Sequence, residues 1–318
     1  MSPAALPTAD PLPDGGLRHD GLFYDDDASY LGGLLDFVHG GLGRDEPVLV
    51  AVPGRNLELV RDGLGDDARR VRLADMAVAG RNPGRIIGTV LRAFAEEHAG
   101  RRVRIVGEPI WAGRSDEEYP ACAEHEALIN VALADTLVHV ICPYDSTRLS
   151  EPVLEDALRT HPDISDGTSR WTSPGYVDPA VTARSFDRPL PPPPDDADLV
   201  VLSTLTGPRG ARHRVHEIAE QAGMAPERIS DLRRIVQELA VNTIVHSGGC
   251  GVLLAWVAEG EVRVELQDSG RIPDVLAGRR HPGRGHEDHG LWLVNRLADL
   301  VRIHRHAEGT DVRIHVRV

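Results

Sequence analysis

Glu238 and Asn242 stand four residues apart in QELAVNTIVHSGG, on one face of an apolar helix beside Leu239, Val241, Ile244 and Val245. An amide oxygen suits Mg²⁺, which keeps several waters and takes its other ligands from phosphates. A neighbouring carboxylate can orient or deprotonate a hydroxyl. Three further pieces follow in order: Asp268-Ser269-Gly270 after a strand, Gly290-Leu291 at a helix start, and Gly309-Thr310 before the last strand. Asp268 can accept a hydrogen bond from an adenine amino group, and Gly270 lets backbone approach a base. Gly290, with free N–H groups at a helix start, offers a phosphate the positive end of a helix. The alternative for each piece alone is plain structure: a solvated helix edge, a turn, a loop glycine.

All 35 basic residues are Arg, and no Lys occurs. A Walker A lysine, a Schiff-base lysine and a protein-kinase strand lysine are therefore excluded together. Nucleotide chemistry here must rest on backbone and on residues other than Lys.

These residues need elements to hold them. After the Pro/Asp segment, LVVLSTL (199–205) opens a strand, and the spacing predicts a helix over 209–223, a long helix from Pro226 through the QELAVN stretch, and two strands around a Glu259-Gly260 turn. A Gly/His/Arg-rich loop (278–290), the helix LWLVNRLADL and a final hairpin complete residues 199–318 as an α+β sandwich. From about 17 to 165, the runs PVLVAVP, VRIVGEP and LVHVICPYD alternate with amphipathic stretches, which implies an α/β domain with a mostly parallel sheet. Residues 1–16 lack periodicity and are expected to be disordered. Residues 166–198, with five prolines between 189 and 194, are expected to be an extended linker.

Charge separates the two halves. Residues 199–318 hold 16 Arg and 15 acids, whereas 1–198 hold 19 Arg and 34 acids. An acidic front half argues against nucleic acid as a partner and favours proteins or small ligands. No run of about 18 apolar residues and no secretory leader pattern appears, so a cytoplasmic, unanchored chain is expected. Cys122, Cys142 and Cys250 are scattered and odd in number, which suggests neither a disulfide framework nor a zinc knuckle. A thiol-based response at Cys122 or Cys142 stays open beside the inert reading.

In the α/β half, Glu108 follows a strand, His125 and Glu126 lie on a helix, and Tyr144 and Asp145 end another strand. Carboxyl ends of parallel strands are where ligands sit, so these five are candidates for a sensory pocket. The competing reading pairs the acids with arginines that hold the sheet edge.

The ordered set in 199–318 resembles the GHKL ATPase superfamily, with its N box, G1 box, G2 box and final GT. Its wording is most similar to the RsbW/SpoIIAB-type anti-sigma-factor serine kinases. The resemblance implies a two-layer Bergerat sandwich that binds ATP and Mg²⁺, with Asn242 on the metal, Asp268, Gly270, Gly290, Leu291 and Thr310 around the nucleotide, and Glu238 as catalytic base. It also implies a sigma factor and a STAS-type anti-sigma-factor antagonist as partners, and a homodimer. Two departures stand out: Arg271-Ile272 where the fuller G1 pattern has another glycine, and His289 directly before Gly290. VRIVGEPIWAGRS, ACAEHEALINVAL, VICPYD and THPDI resemble the MEDS (methanogen/methylotroph DcmR sensory) domain, which implies a RecA-like fold without a working P-loop and an unidentified small ligand. The pairing resembles RsbA-family anti-sigma regulators. Two other readings remain open: a nucleotide- or partner-binding module without catalysis, and a sensor histidine kinase using the histidines of RHRVHE.

Overall fold

The computed structural model describes residues 16–203, 207–281 and 289–318. The expected disorder of residues 1–16 thus falls almost wholly outside them, as does 282–288 of the expected glycine-rich loop.

Seven strands build the N-terminal sheet: β1 (Leu17–Tyr24), β2 (Val48–Val52), β3 (Arg72–Asp75), β4 (Val103–Gly107), β5 (Val138–Asp145), β6 (Asp163–Ser165) and β7 (Arg170–Thr172). They lie in the order β3-β2-β4-β5-β1-β6-β7, parallel except for β7. β2 and β4 are buried along their whole length, as strands covered by helices on both faces must be. On one face, α1 (Asp27–Leu42) and α2 (Gly54–Leu64) cover a core of Leu34, Val38, Val50, Val60 and Val106. Asp26 starts α1 by accepting from the Ser29 amide at 2.7 Å, while Ser29 Oγ accepts from the Asp26 amide.

The short α3 (Met76–Ala79) follows β3. The other face carries α4 (Pro83–Ile86), which runs through a π-helical turn (Ile87–Arg92) into α5 (Ala93–Glu97), and also α6 (Tyr119–Ala132) and α7 (Glu151–Thr160). Their core includes Leu91, Ile105, Leu128, Val140 and Cys142. The expected linker 166–198 is more structured than its prolines suggest, because it contains β7 and α8 (Pro179–Ser185), and α8 packs on α6.

β1 has no counterpart among the three runs read as strands. Its middle residues His19 and Asp20 interrupt the apolar pattern, yet both are buried. Asp20 is compensated by His139 at 2.8 Å and Arg170 at 3.2 Å. A central strand tolerates such residues only with partners from other elements, and those partners are 119 and 150 residues away.

The C-terminal sheet is antiparallel throughout, in the order β11-β12-β10-β9-β8. Its strands are β8 (Asp198–Ser203), β9 (Cys250–Ala258), β10 (Glu261–Asp268), β11 (Leu300–Arg305) and β12 (Thr310–Arg317). Glu259 and Gly260 both take positive φ, 54° and 73°, which gives the β9–β10 hairpin the twist its strands require. One face is covered by α9 (Gly207–Gln221), α10 (Pro226–His246) and α11 (His289–Leu297), around Leu232, Val236, Leu239, Leu253 and Ile314. On the opposite face β10, β11 and β12 carry the polar residues Arg302, Arg313, Glu265 and His315, all buried. The N-terminal domain and the proline segment cover them: Arg302 donates to the Glu117 carbonyl at 2.6 Å, and Arg313 donates to the carbonyl of Pro191.

Candidate functional site

Leu239, Ala240 and Thr243 of α10 are buried against the sheet and α11, which leaves Glu238 and Asn242 half-buried on the next face of the helix. Gly290, in the first turn of α11, meets that face. A Cβ there would lie 3.1 Å and 3.2 Å from the Asn242 amide atoms and 3.2 Å from Glu238 Oε2. A side chain at 290 would therefore push into both groups, and glycine lets the helix start approach them. Thus Glu238, Asn242 and Gly290, 52 positions apart at the extremes, share one small volume.

Asp268 ends β10 and is held by two donors. Thr243 Oγ1 donates to Oδ2 at 2.6 Å, and the Gly270 amide donates to Oδ1 at 2.7 Å. Thr310 Oγ1 in turn donates to the Gly270 carbonyl at 2.8 Å, which ties the turn to the start of β12. At Gly309 a Cβ would overlap the Asp268 carbonyl oxygen, so this crossing of two backbones requires glycine. Each carboxylate oxygen keeps a further lone pair for an external donor.

Beside this carboxylate lies a cavity of about 250 Å³. Leu239, Leu266, Ile272, Ala277, Leu291 and Val312 supply its apolar wall, and Asn242, His246, Asp268, Arg271, Asp274 and Thr310 its polar residues. An apolar slot with one oriented acceptor at its edge fits a planar heterocycle that bears an amino group. Asn242 at its margin offers one hard oxygen beside the α11 start, which fits an ion that keeps most of its waters. Sequence reasoning missed Thr243 and Ile272. Thr243 had a readable signal, since it lies one turn beyond Leu239 on the buried face and so must find a polar partner.

A larger groove of about 1110 Å³ runs beneath residues 188–194, lined by Glu117, Trp256, Arg263, Arg302 and Arg313 among others. It contains none of the ordered motifs and belongs to the junction between the domains. That junction is mainly polar. Asn82 donates to the Asn295 carbonyl at 2.8 Å, Arg81 pairs with Asp299 at 2.7 Å, and Asp187 bonds His304 and Arg305 at 3.0 Å. Arg279, just before residues 282–288, is buried and ion-paired with Glu124 of α6. Gly88 in the π-helical turn leaves room for the Arg279 carbonyl, which would lie 2.8 Å from a Cβ at 88.

The five N-terminal candidates fall into three places. Glu108 lies on the α1–α2 face, where Tyr30 donates to it at 3.0 Å and Asn56 at 2.9 Å. Burial pushes its carboxyl up to about 8, against the opposing pull of the Asn56 and Tyr30 hydrogen bonds, and the nearby Asp145 charge adds to the rise. Asp145 accepts from Thr147 and Arg148 at the adjacent strand end. Glu126 and Tyr144 lie across the sheet, buried with the α6–α7 core. His125 is buried separately, with its Nδ1 unpartnered, and burial lowers it to about 3. The Arg279 and Arg114 charges act in the same direction, whereas Glu126 opposes it.

The histidines of RHRVHE lie on α9, whose Ala211, Val215, Ile218 and Ala219 are buried in the C-terminal core. His213 and His216 point outward and sit within 3.3 Å of Glu217 and 3.4 Å of Glu220. The apolar face that a dimerising helix pair would need is used inside this domain.

Residues 18–162 match the family model of the methanogen/methylotroph DcmR sensory (MEDS) domain. Residues 202–316 match that of the histidine kinase-like ATPase domain.

Proposed function

We propose that this chain, a MEDS sensory domain joined to a histidine kinase-like ATPase domain, is a cytoplasmic anti-sigma regulator that binds Mg·ATP and phosphorylates a Ser or Thr of an anti-sigma-factor antagonist. The observation that carries the reading is the cavity where Asn242, Asp268, Gly270, Leu291 and Thr310, from four separate motifs, meet. The ATPase match supports ATP as the nucleotide. No described helix is long and apolar enough to cross a membrane.

In this reading Asp268 accepts from the adenine amino group, a charge-assisted bond of about 1.5–3 kcal/mol. Asn242 Oδ1 supplies a protein ligand to Mg²⁺, which when bound neutralises phosphate charge. The first turn of α11 at Gly290 presents backbone N–H groups to the phosphates, the task for which this chain has no lysine. Glu238 takes the proton of the acceptor hydroxyl as its oxygen bonds to the γ-phosphorus, the β–γ bridge breaks and ADP departs. The N-terminal domain, with a RecA-like α/β fold in this reading, serves as a sensor rather than an NTPase. In this reading the sensory state passes to the ATPase domain across the junction, where Glu124 of α6 pairs with Arg279.

Incubation of the full chain with γ-labelled ATP and candidate STAS-type antagonists tests the reading. Acid-stable label on the antagonist is expected, and Glu238→Ala should lower transfer at least 100-fold while sparing ATP binding. Full transfer by Glu238→Ala would reject Glu238 as the base. Acid-labile label on the chain itself would support a histidine kinase instead. A nucleotide-binding module without transfer is the second reading, favoured by Arg271 and Ile272 at the cavity wall; ATP binding with no label on either protein would establish it.

A further inference from the structure

Four side chains on the α6–α7 face of the N-terminal sheet point their ligand atoms at one another: His19 of β1, Glu126 of α6, Cys142 of β5 and His161 just after α7. None exceeds 2% exposure. The His19 Nε2 to Cys142 Sγ distance is 3.4 Å, His19 Nε2 to Glu126 Oε2 is 3.5 Å, and His161 Nε2 to Glu126 Oε2 is 3.0 Å. All four ligand atoms lie within 4.8 Å of one another. A tetrahedral ion with bonds of about 2.0–2.3 Å sets its ligand atoms roughly 3.3–3.7 Å apart, so the cluster is already near that spacing.

The hydrogen bonds behind the two imidazoles fix what their front nitrogens carry. Asn130 donates to the Ala127 and Thr160 carbonyls through its amide nitrogen, so its Oδ1, 3.2 Å from His19 Nδ1, is an acceptor. His19 Nδ1 must then hold the proton. His161 Nδ1 faces the Ala157 carbonyl at 2.8 Å, which can only accept, so it too is protonated. In the neutral imidazoles both Nε2 atoms are therefore lone pairs aimed into the cluster, and a backing acceptor on Nδ1–H is how metal-ligating histidines are commonly oriented. Glu126 Oε1 and Oε2 and His161 Nε2 are buried without a hydrogen-bond partner, although His161 and Glu126 approach to 3.0 Å. With the protons of both rings on Nδ1, the two Nε2 lone pairs and the Glu126 carboxylate are acceptors that face one another, an arrangement a shared cation would satisfy. Tyr144 Oη, also buried and unpartnered, belongs to the same chamber, with its ring edge-on to His161 at 5.4 Å.

We propose that His19, Glu126, Cys142 and His161 form a four-coordinate site for a transition-metal ion of the zinc class. Thiolate, carboxylate and two neutral imidazoles give a dication a site of zero net charge, which removes the cost of burying either the ion or the anions alone. The mixed nitrogen, sulfur and oxygen set suits zinc, cobalt or ferrous iron rather than magnesium or calcium. With four protein ligands and no open position, the ion serves folding or sensing rather than hydrolysis. Loading displaces the Cys142 thiol proton to solvent. Because Glu126 shares α6 with Glu124, the ion would be fixed to the helix that contacts the ATPase domain. The proposal rests on the N-terminal domain alone and does not depend on ATP turnover.

The test uses the full chain, stripped with chelator and reloaded separately with Zn²⁺ and Co²⁺, followed by elemental analysis and absorption spectroscopy. About one equivalent of metal is expected, with a thiolate-to-cobalt charge-transfer band and the strong visible bands of a four-coordinate centre. Cys142→Ser should abolish the charge-transfer band, while Cys122→Ser and Cys250→Ser keep it. Asn130→Ala, which touches no metal, should keep the band and weaken affinity about 10- to 100-fold. A folded native chain that retains no metal, or a band unchanged in Cys142→Ser, overturns the proposal and leaves a proton-bridged histidine–carboxylate cluster. If the variants fail to fold, the metal content of the native chain still decides.

Discussion

At the C-terminal cavity Asp268 and Thr310 have partners: both oxygens of Asp268 are engaged, and Thr310 is tied to Gly270. In the N-terminal cluster the reverse holds, since Glu126 and His161 Nε2 are buried without them. The first arrangement is a preformed slot beside about 250 Å³ of cavity, suited to a rigid heterocycle that needs one oriented acceptor. The second is a set of ligand atoms within 4.8 Å, suited to nothing larger than an ion. An oriented carboxylate facing space and four ligand atoms facing each other thus point to different ligand classes. Nucleotide should act on one domain, and proton or metal on the other.

Changing pH tests that division most strongly. Burial holds the folded-state carboxyl of Glu108 at about 8, far above its unfolded value. The folded protein then binds a proton that the unfolded chain has lost, so this group's stabilisation is complete at low pH and disappears as pH rises through the folded value. Stability should fall by about 1.4 kcal/mol per pH unit between roughly pH 5 and 8, a total of about 4 kcal/mol. Urea unfolding across that range should show the slope in the native chain and lose it in Glu108→Gln. A slope kept by the variant would place the titration elsewhere.

The junction between the regions comes next in size. Glu124→Gln leaves Arg279 buried without its anionic partner, which should cost about 3 kcal/mol. Calorimetry should show the two domains unfolding in separate transitions, where the native chain unfolds more cooperatively. A single transition at the native temperature would mean that this pair does not join them.

Much of this was legible in the sequence. β2, β4 and β5 appeared as apolar runs because both their faces are covered. α10 and the Glu259-Gly260 hairpin were readable from Pro226, the helical spacing and the turn residues. Asn242, Asp268, Gly270, Leu291 and Thr310, singled out by order and type, line one cavity. What stayed hidden depends on distant partners. β1 is disguised by His19 and Asp20, whose compensation comes from β5, α6 and β7. The His19 and His161 ligands are brought to Cys142 only by the order β5-β1-β6, which no local pattern encodes. Asn295, Asp299 and Arg302 look like surface residues until the N-terminal domain covers them. Proline content says nothing of α8, whose Asp178 cap and contacts with α6 hold it.

The smallest expected change is also the most direct test of the nucleotide site. Titrating the full chain with Mg·ATP by calorimetry should show one site per chain. Asp268→Asn removes the carboxylate charge and turns one acceptor oxygen into a donor, and should weaken binding at least tenfold, about 1.4 kcal/mol, with the fold retained. No binding by the native chain, or equal affinity in Asp268→Asn, would contradict the assignment of this cavity to ATP.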